Sequence, residues 1–488
     1  SARPGDAGDR HRQVARAVPQ GALRHGQRHW LADRAMGSDQ ARVHPQRLGL
    51  GSVAVGDEAA LEPIAGTGHA GAHGGDQAAG AAFGGGHTQA AGAQRVCQRA
   101  HAGDQGIVVV RGKDGALRAF YNVCQHRGHE LVKGDGSAKA LVCPYHAWTY
   151  GLDGACTHIR ECDDWQGALT AANTHLAPVR VDTWGGWVWI NMDPDAEPLA
   201  DYLFPAAKIL DPFGLENMRC KWRKWVHFDC NWKVALEAFN ETYHVFTTHP
   251  EFNRFGEFKG WARAQGRHSN IGYDAPKDLE ETQSKIRLGT GDPRISTAEM
   301  QIYTMEETNA TTTETLVNAA RRLVDELPEG TPADKVLEHW LASARADDAA
   351  RGVVWPIIPA DILGQSGTAW QIFPNFQIGQ GLTSALCYSA RPDPSYNPDK
   401  CIFEVSVFEL YPEGAEPETE WEYTPVGDPR WRSVLPQDFS NMAAVQQGMK
   451  SAGFPGTLPN PYRERSTVNL HYQLSTYMGT GAPRELDH

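Results

Sequence analysis

Two short loops constrain this chain more than any other feature. Cys124-Gln125-His126 is followed, after a gap of sixteen residues, by Cys143-Pro144-Tyr145-His146, and each pair sits just after a strand or inside a turn, where a loop can wrap an ion. A fold that carries both loops can face them toward one metal centre. By residue count alone, two Cys and two His also make the ligand set of a structural zinc site. The order separates the two readings. Zinc sites of this kind commonly draw two Cys from one short segment and two His from another, whereas each loop here mixes one of each. Mixed loops suit a [2Fe-2S] cluster with both thiolates on one iron and both imidazoles on the other.

The surrounding sequence predicts a small β-rich domain. Ile107 to Arg111 reads as a strand, Gly112-Lys113-Asp114-Gly115 as a tight turn, and Leu117 to Val123 as its return strand. A second hairpin is expected where Ala147 to Tyr150 meets Gly151-Leu152-Asp153-Gly154, and Trp184 to Met192 reads as one further strand. Beyond about Pro198 the pattern is mixed, with helices over Trp232 to His244 and Thr312 to Ala344 and strands over Thr368 to Gly379 and Ile402 to Leu410.

A second constellation lies on the first of those helices. Glu237, Glu241 and His244 recur at spacings of four and three, which places them on one helical face. His249 lies five residues past His244, about 140° around an ideal helix, so the backbone near Thr247-Thr248 has to bend or end for both imidazoles to reach one ion. Pro250 is consistent with an ending. Taken by itself, a His pair at this spacing is more often surface or satisfied core.

Together these strings resemble one family. The Cys/His loops, with Arg127-Gly128-His129 after the first and Tyr145-His146-Ala147-Trp148 in the second, resemble the Rieske domain of ring-hydroxylating oxygenases. The string NWKVALEAFNETYHVFTTHP resembles the mononuclear-iron motif of the same family, in the order along the chain that the family shows. The resemblance implies that Cys124, His126, Cys143 and His146 hold the cluster, and that His244 and His249 bind iron with a carboxylate from far toward the C-terminus. Gln437-Asp438-Phe439-Ser440-Asn441-Met442 is the best match for that carboxylate, which makes Asp438 the third ligand; its alternative role is a helix N-cap. Two imidazoles and one carboxylate form a facial triad with open positions on Fe(II). Glu241 stands where many relatives carry an Asp that bridges a Rieske histidine of one subunit to an iron histidine of its neighbour. Some members acting on quaternary amines also have Glu there.

By the same resemblance the chain is a terminal oxygenase component, the large catalytic subunit. Electrons pass from NADH or NADPH through a ferredoxin or flavin reductase to the cluster and on to a mononuclear Fe(II), where O2 is used to hydroxylate a small organic substrate. An aromatic ring compound is the leading substrate class; a quaternary amine or other non-aromatic substrate, taken by a monooxygenase or demethylase, is the alternative. A non-catalytic Rieske electron carrier and a zinc-containing binding protein are the readings of other classes. A homotrimer and a possible small beta subunit are implied by the resemblance alone. Apolar walls for a substrate are sought near Phe246, Trp355 to Ile358 and Phe373 to Phe376, most of which read equally as core.

Composition sets the frame. The 488 residues carry a net charge of −13 and show no Lys/Arg cluster, which argues against a nucleic-acid partner. No apolar run is long enough to span a bilayer, and no secretory signal is visible after Ser1. Nine scattered cysteines suit reduced thiols in a cytoplasmic setting, with Cys97, Cys156, Cys162, Cys220, Cys230, Cys387 and Cys401 read as structural. Residues 1 to 106 are rich in Ala, Gly, Arg, His and Gln and can bury little. The expected organisation is α+β: an anomalous low-complexity region over 1–90, disordered or mistranslated; a small all-β Rieske domain over 91–195; and a larger domain of mixed antiparallel sheet and helix over 196–488.

Overall fold

The computed structural model describes residues 53–57, 96–102, 105–134, 136–255, 259–274 and 291–481. The N-terminal part is built on β1 (Val53–Asp57), β2 (Val96–Ala102), β3 (Gln105–Arg111), β4 (Leu117–Tyr121), β5 (Gly136–Ser137), β6 (Leu141–Val142), β7 (Thr149–Tyr150), β8 (Cys156–His158), β9 (Pro178–Trp184) and β10 (Trp187–Asn191). Seven of these form one sheet in the order β1-β10-β9-β4-β3-β2-β5, and β6-β7-β8 form a smaller one.

Strand β3 shows why this part closes. Its Ile107, Val108, Val109 and Val110 are all fully buried, and the period of two sends them to different cores. Ile107 and Val109 pack with Val188 and Ile190, while Val108 and Val110 pack with Cys124, Cys143, Trp148 and Tyr150. One strand thus walls the cysteine loops off on one side and anchors the sheet on the other. The β3–β4 hairpin forms as the sequence predicts, its turn closed by the Gly112 N–H to the Ala116 carbonyl, although the return strand ends at Tyr121.

Trp184 to Met192 is not one strand. Gly185 and Gly186, with φ of 65° and 90°, make a two-residue turn that pairs Trp184 with Trp187. A two-residue hairpin turn of this kind needs positive φ at both central positions, which Gly-Gly supplies without a steric cost. Within the stretch read as low-complexity, Val53–Asp57 pairs with β10, Val53 opposite Ile190; the rest of residues 1–90 lies outside the described residues.

The C-terminal part is an eight-stranded sheet of β11 (Arg219–Phe228), β12 (Lys259–Gln265), β13 (His268–Asp274), β14 (Ala369–Ile372), β15 (Phe376–Gln380), β16 (Ser384–Pro392), β17 (Cys401–Glu409) and β18 (Trp421–Tyr423). The order is β12-β13-β14-β15-β16-β17-β11-β18, antiparallel except for β18 beside β11. The expected strand over 368–379 is two, parted at Phe373-Pro374-Asn375, where Pro374 has no N–H for a ladder. The expected helix over 312–344 is also two, Glu314–Glu326 and Ala333–Ala350, parted by a segment carrying Pro328, Gly330 and Pro332. Of the residues considered for a substrate wall, Trp355, Phe373 and Phe376 are buried in cores and Ile357 is 89% exposed.

The sheet is covered on both faces. One face, with Ile372, Phe376, Ile378 and Phe408, packs on Trp187 and Trp189 of β10. The other, with Phe228, Phe403 and Val405, packs on three helices, Trp232–Glu237, Val434–Met449 and Arg465–Met478. Strand β10 therefore faces both parts of the molecule, its valine and isoleucine inward to the first and its tryptophans to the second. No helix among the described residues is long and apolar enough to cross a membrane.

Trp189 is 1% exposed at this junction. Trp189→Ala is expected to lower stability by about 3–5 kcal/mol, measured by calorimetry, with both parts of the molecule losing stability together. A loss under about 1 kcal/mol would show that β10 does not couple them.

Candidate metal centres

The two cysteine loops share one backbone plan. In the first, the Cys124 N–H donates to the His129 carbonyl and the Gly128 N–H donates to the Cys124 carbonyl; in the second, Cys143 stands in the same relation to Trp148 and Ala147. The residue four past each cysteine has positive φ, 73° at Gly128 and 58° at Ala147. Each loop is thereby a tight cup with its Cys at the floor. Asn122 locks the base of the first, its Oδ1 accepting from the Leu131 and Val132 N–H groups at 3.1 and 2.9 Å and its amide donating to the Val132 carbonyl at 2.8 Å.

The side chains form pairs. Cys124 and Cys143 are buried side by side, and burial together with the neighbouring Cys143 pushes the Cys124 thiol up, against hydrogen bonds from Tyr150 and the His126 N–H. Tyr150 accepts from the Gln125 N–H at 3.0 Å, which leaves its proton for the Cys124 Sγ at 3.2 Å. The rings of His126 and His146 lie 4.5 Å apart, with His126 stacked on Trp148 at 5.1 Å. The Nδ1 atoms of both are buried without a hydrogen-bond partner.

Two orphaned imidazole nitrogens beside two adjacent thiols are a donor set that fits a cluster, because an unpaired buried polar atom is otherwise costly. Among the described residues these four do not form a group with donors all within 4.8 Å of one another. That arrangement suits two irons better than a single tetrahedral zinc.

The second centre departs from the expected continuous helix. The segment from Trp232, with Asn231 as N-cap, ends at Glu237 rather than His244. Glu237 does not share a face with His244; it accepts from His471 at 2.6 Å, and Asn240 is held by Ser466, so tertiary partners override the helical pattern. The chain turns, Val245–Thr248 forms one short helical turn, and His249 leaves it with φ −118° and ψ 65°. This is the ending that the His244/His249 spacing requires.

Asp438 enters from the helix Val434–Met449, whose N-cap is Ser433. It lies inside that helix, not ahead of it, and so does not serve as an N-cap. It is 5% exposed, and its Oδ1 lies 3.0 Å from His249 Nε2 and 3.4 Å from His244 Nε2. His244, His249 and Asp438 are the one group among the described residues with three such donors within 4.8 Å. A carboxylate oxygen and two imidazole nitrogens converging in a buried site call for a cation or protons between them.

Behind the imidazoles stand other groups. Glu241 Oε1 accepts from His244 Nδ1 at 2.5 Å, and its Oε2 takes the backbone N–H groups of Tyr243 and His244. His249 Nδ1 meets Gln437 Oε1 at 2.5 Å, and Gln437 in turn donates to Glu251 Oε1 at 2.5 Å. Gln437 and Glu251 had no role in the sequence reading. The available signal was the position of Gln437 next to Asp438, which lets consecutive side chains reach opposite nitrogens of one ring.

Models of two families match the chain. "Ring hydroxylating alpha subunit (catalytic domain)" matches residues 215–480 and "Rieske [2Fe-2S] domain" matches residues 88–175. The chain belongs to the ring-hydroxylating oxygenase alpha subunits. The two matches put a Rieske [2Fe-2S] domain ahead of the family's catalytic domain. The chain is 41% identical over 151 residues to the carnitine monooxygenase oxygenase subunit of Acinetobacter pittii, a stretch that is 30% of this chain and 40% of that one. It is 38% identical over 160 residues to the large oxygenase component of the naphthalene 1,2-dioxygenase system of Pseudomonas putida, 31% of this chain and 35% of that one. The matched stretch thus spans well under half of these curated relatives. A solved quaternary ammonium Rieske monooxygenase in complex with L-carnitine has the same fold, with a TM-score of 0.50 and 20% identity over 78% of this chain and 84% of that one.

Without a cation, protons are the groups that can answer the buried Asp438 carboxylate. Burial works against protonated His244, yet the carboxylates of Asp438 and Glu241 outweigh it and push its pKa from 6.5 up to about 10. A raised pKa in the folded state gives stabilisation that is complete below pH about 6.5 and is lost as pH rises through about 10. Thermal melts of metal-free protein should fall in midpoint across that window, and iron-loaded protein should not follow. A flat profile for the metal-free protein would contradict the coupling.

Proposed function

We propose that this chain is the terminal oxygenase component of a multicomponent system, hydroxylating a small organic substrate with O2 and electrons from NADH or NADPH delivered by a ferredoxin or flavin reductase. The observation that carries this reading is the convergence of His244, His249 and Asp438 in a chain that also holds the paired Cys/His loops. Cys124, His126, Cys143 and His146 are assigned to the cluster, and His244, His249 and Asp438 to the mononuclear iron. When bound, the cluster supplies an electron relay and the iron the activation of oxygen. The domain division near residue 195 follows the same assignment.

The protein's own groups do the positioning. Glu241 accepts the Nδ1 proton of His244 and so keeps Nε2 turned toward Asp438. Placed at the start of a short turn, it is also assigned as the bridge toward a Rieske histidine of a neighbouring subunit in a homotrimer. Inter-subunit electron transfer is named for a solved quaternary ammonium Rieske monooxygenase. The ring of Phe252 lies 5.9 Å from that of His249. The half-buried Tyr388 packs against the core beside this site and is held well above the ordinary phenol range, by burial first and then by the charge of Asp438, so it stays neutral there. The free state of the described cysteines suits a cytoplasmic setting.

An aromatic ring compound remains the substrate class that the family's description suggests. Glu241 favours a second reading, a quaternary amine, since the carnitine and glycine betaine oxygenases are among the chain's relatives. A screen with reductase and NADH, offering naphthalene-type rings and carnitine-type amines, separates the two by which class couples NADH oxidation to product. His244→Ala or His249→Ala should lower product formation at least about 100-fold while the reduced-cluster resonance persists. Unchanged turnover in either variant would remove the mononuclear-site assignment.

A further inference from the structure

The two iron-site imidazoles are backed differently. His244 has a carboxylate directly behind it, with Glu241 Oε1 at 2.5 Å from Nδ1. His249 has an amide, Gln437, whose far end is held by a carboxylate, Glu251. The chain His249–Gln437–Glu251 draws on two separate stretches: one in which His249 ends the turn Val245–Thr248 and Glu251 lies in the 3₁₀ segment Pro250–Phe255 that follows, and the helix Val434–Met449.

From this geometry we propose that Gln437 is the positioning residue for His249 and that Glu251 sets the direction of the relay. An ionised carboxylate can only accept, so Glu251 has to face the NH2 of Gln437. That choice turns the amide oxygen of Gln437 toward His249. An oxygen cannot donate, so His249 Nδ1 has to carry the proton, and Nε2 is left as the bare acceptor facing Asp438 Oδ1 at 3.0 Å. One acceptor-only group at the start of the chain thus selects the tautomer at its end, two hydrogen bonds away.

Helix geometry explains why a neighbouring pair can do this. Residues 437 and 438 are consecutive, about 100° apart around the axis, so one side chain takes the Nδ1 edge of the His249 ring and the other takes the Nε2 edge. The imidazole is gripped between them. A neutral amide also leaves the site with one fewer negative charge than a second direct carboxylate would, so His244 and His249 are unequal donors. The inference rests on the assignment of His249 as an iron ligand, and its test is designed to separate the two.

The experiment is an anaerobic Fe(II) titration of the metal-depleted mononuclear site in the full-length protein, with the nitric oxide adduct of the bound iron read by electron paramagnetic resonance. Parent, Gln437→Leu, Glu251→Gln and the double variant are compared. Gln437→Leu should weaken Fe(II) binding roughly 10- to 100-fold and broaden the adduct's resonance, since loss of such a partner frees the ring. Glu251→Gln keeps the shape but lets the amide flip, and it should weaken binding several-fold.

The decisive arm is the double variant: once Gln437 is gone, Glu251→Gln should have no further effect. Parent-like affinity in Gln437→Leu, or additive losses in the double variant, would overturn the relay. Should Gln437→Leu fail to fold, judged by the cluster spectrum, Glu251→Gln alone decides, because parent-like binding there also overturns it. A parent protein that takes up no Fe(II) at all would instead sink the iron-ligand assignment itself.

Discussion

The C-terminal half of the structure depends on one buried carboxylate. Asp438 is 5% exposed and sits within 3.4 Å of two imidazole nitrogens. A charge in such a place is tolerated only if a cation or protons answer it. The helix Val434–Met449 has to be held close to the His244–His249 turn for that to happen, and its apolar side, with Leu435, Phe439 and Met442, is what the sheet face carrying Phe228 and Phe403 holds. Hydrophobic packing sets the distance, and the polar groups then determine the chemistry.

The N-terminal half solves a similar problem by repetition. Two cups with the same hydrogen-bond plan each present one thiol and one imidazole, and β3 separates them from the rest of the sheet. Tyr150 places a hydrogen-bond donor on Cys124, the kind of contact that tunes a cluster's potential. Strand β10 ties this half to the other, since its valine and isoleucine face one core while its tryptophans enter the next.

What the sequence could reveal follows the range of the forces involved. The Cys/His loops, the β3–β4 hairpin and the ending near Thr248 are local, and they were legible from spacing and turn chemistry. Gly185-Gly186 and the Pro328–Pro332 segment were equally local breaks, hidden inside longer apolar patterns. The end of the helix at Glu237 was not legible, because VALEAF continues a helical pattern and the partners that interrupt it, His471 and Ser466, lie more than two hundred residues away. Asp438 was found by family order, and its place inside a helix emerged only from the fold. Gln437 and Glu251 stayed unseen because their roles exist only once two segments 186 residues apart meet.

The most direct test of two metal centres in one chain is a determination of iron and acid-labile sulfide in anaerobically purified protein. Two centres require about three iron and two sulfide per chain, two irons in the cluster and one at the facial triad. One zinc per chain with no labile sulfide would contradict this, returning the Cys/His loops to a structural role and leaving the buried triad without an electron source.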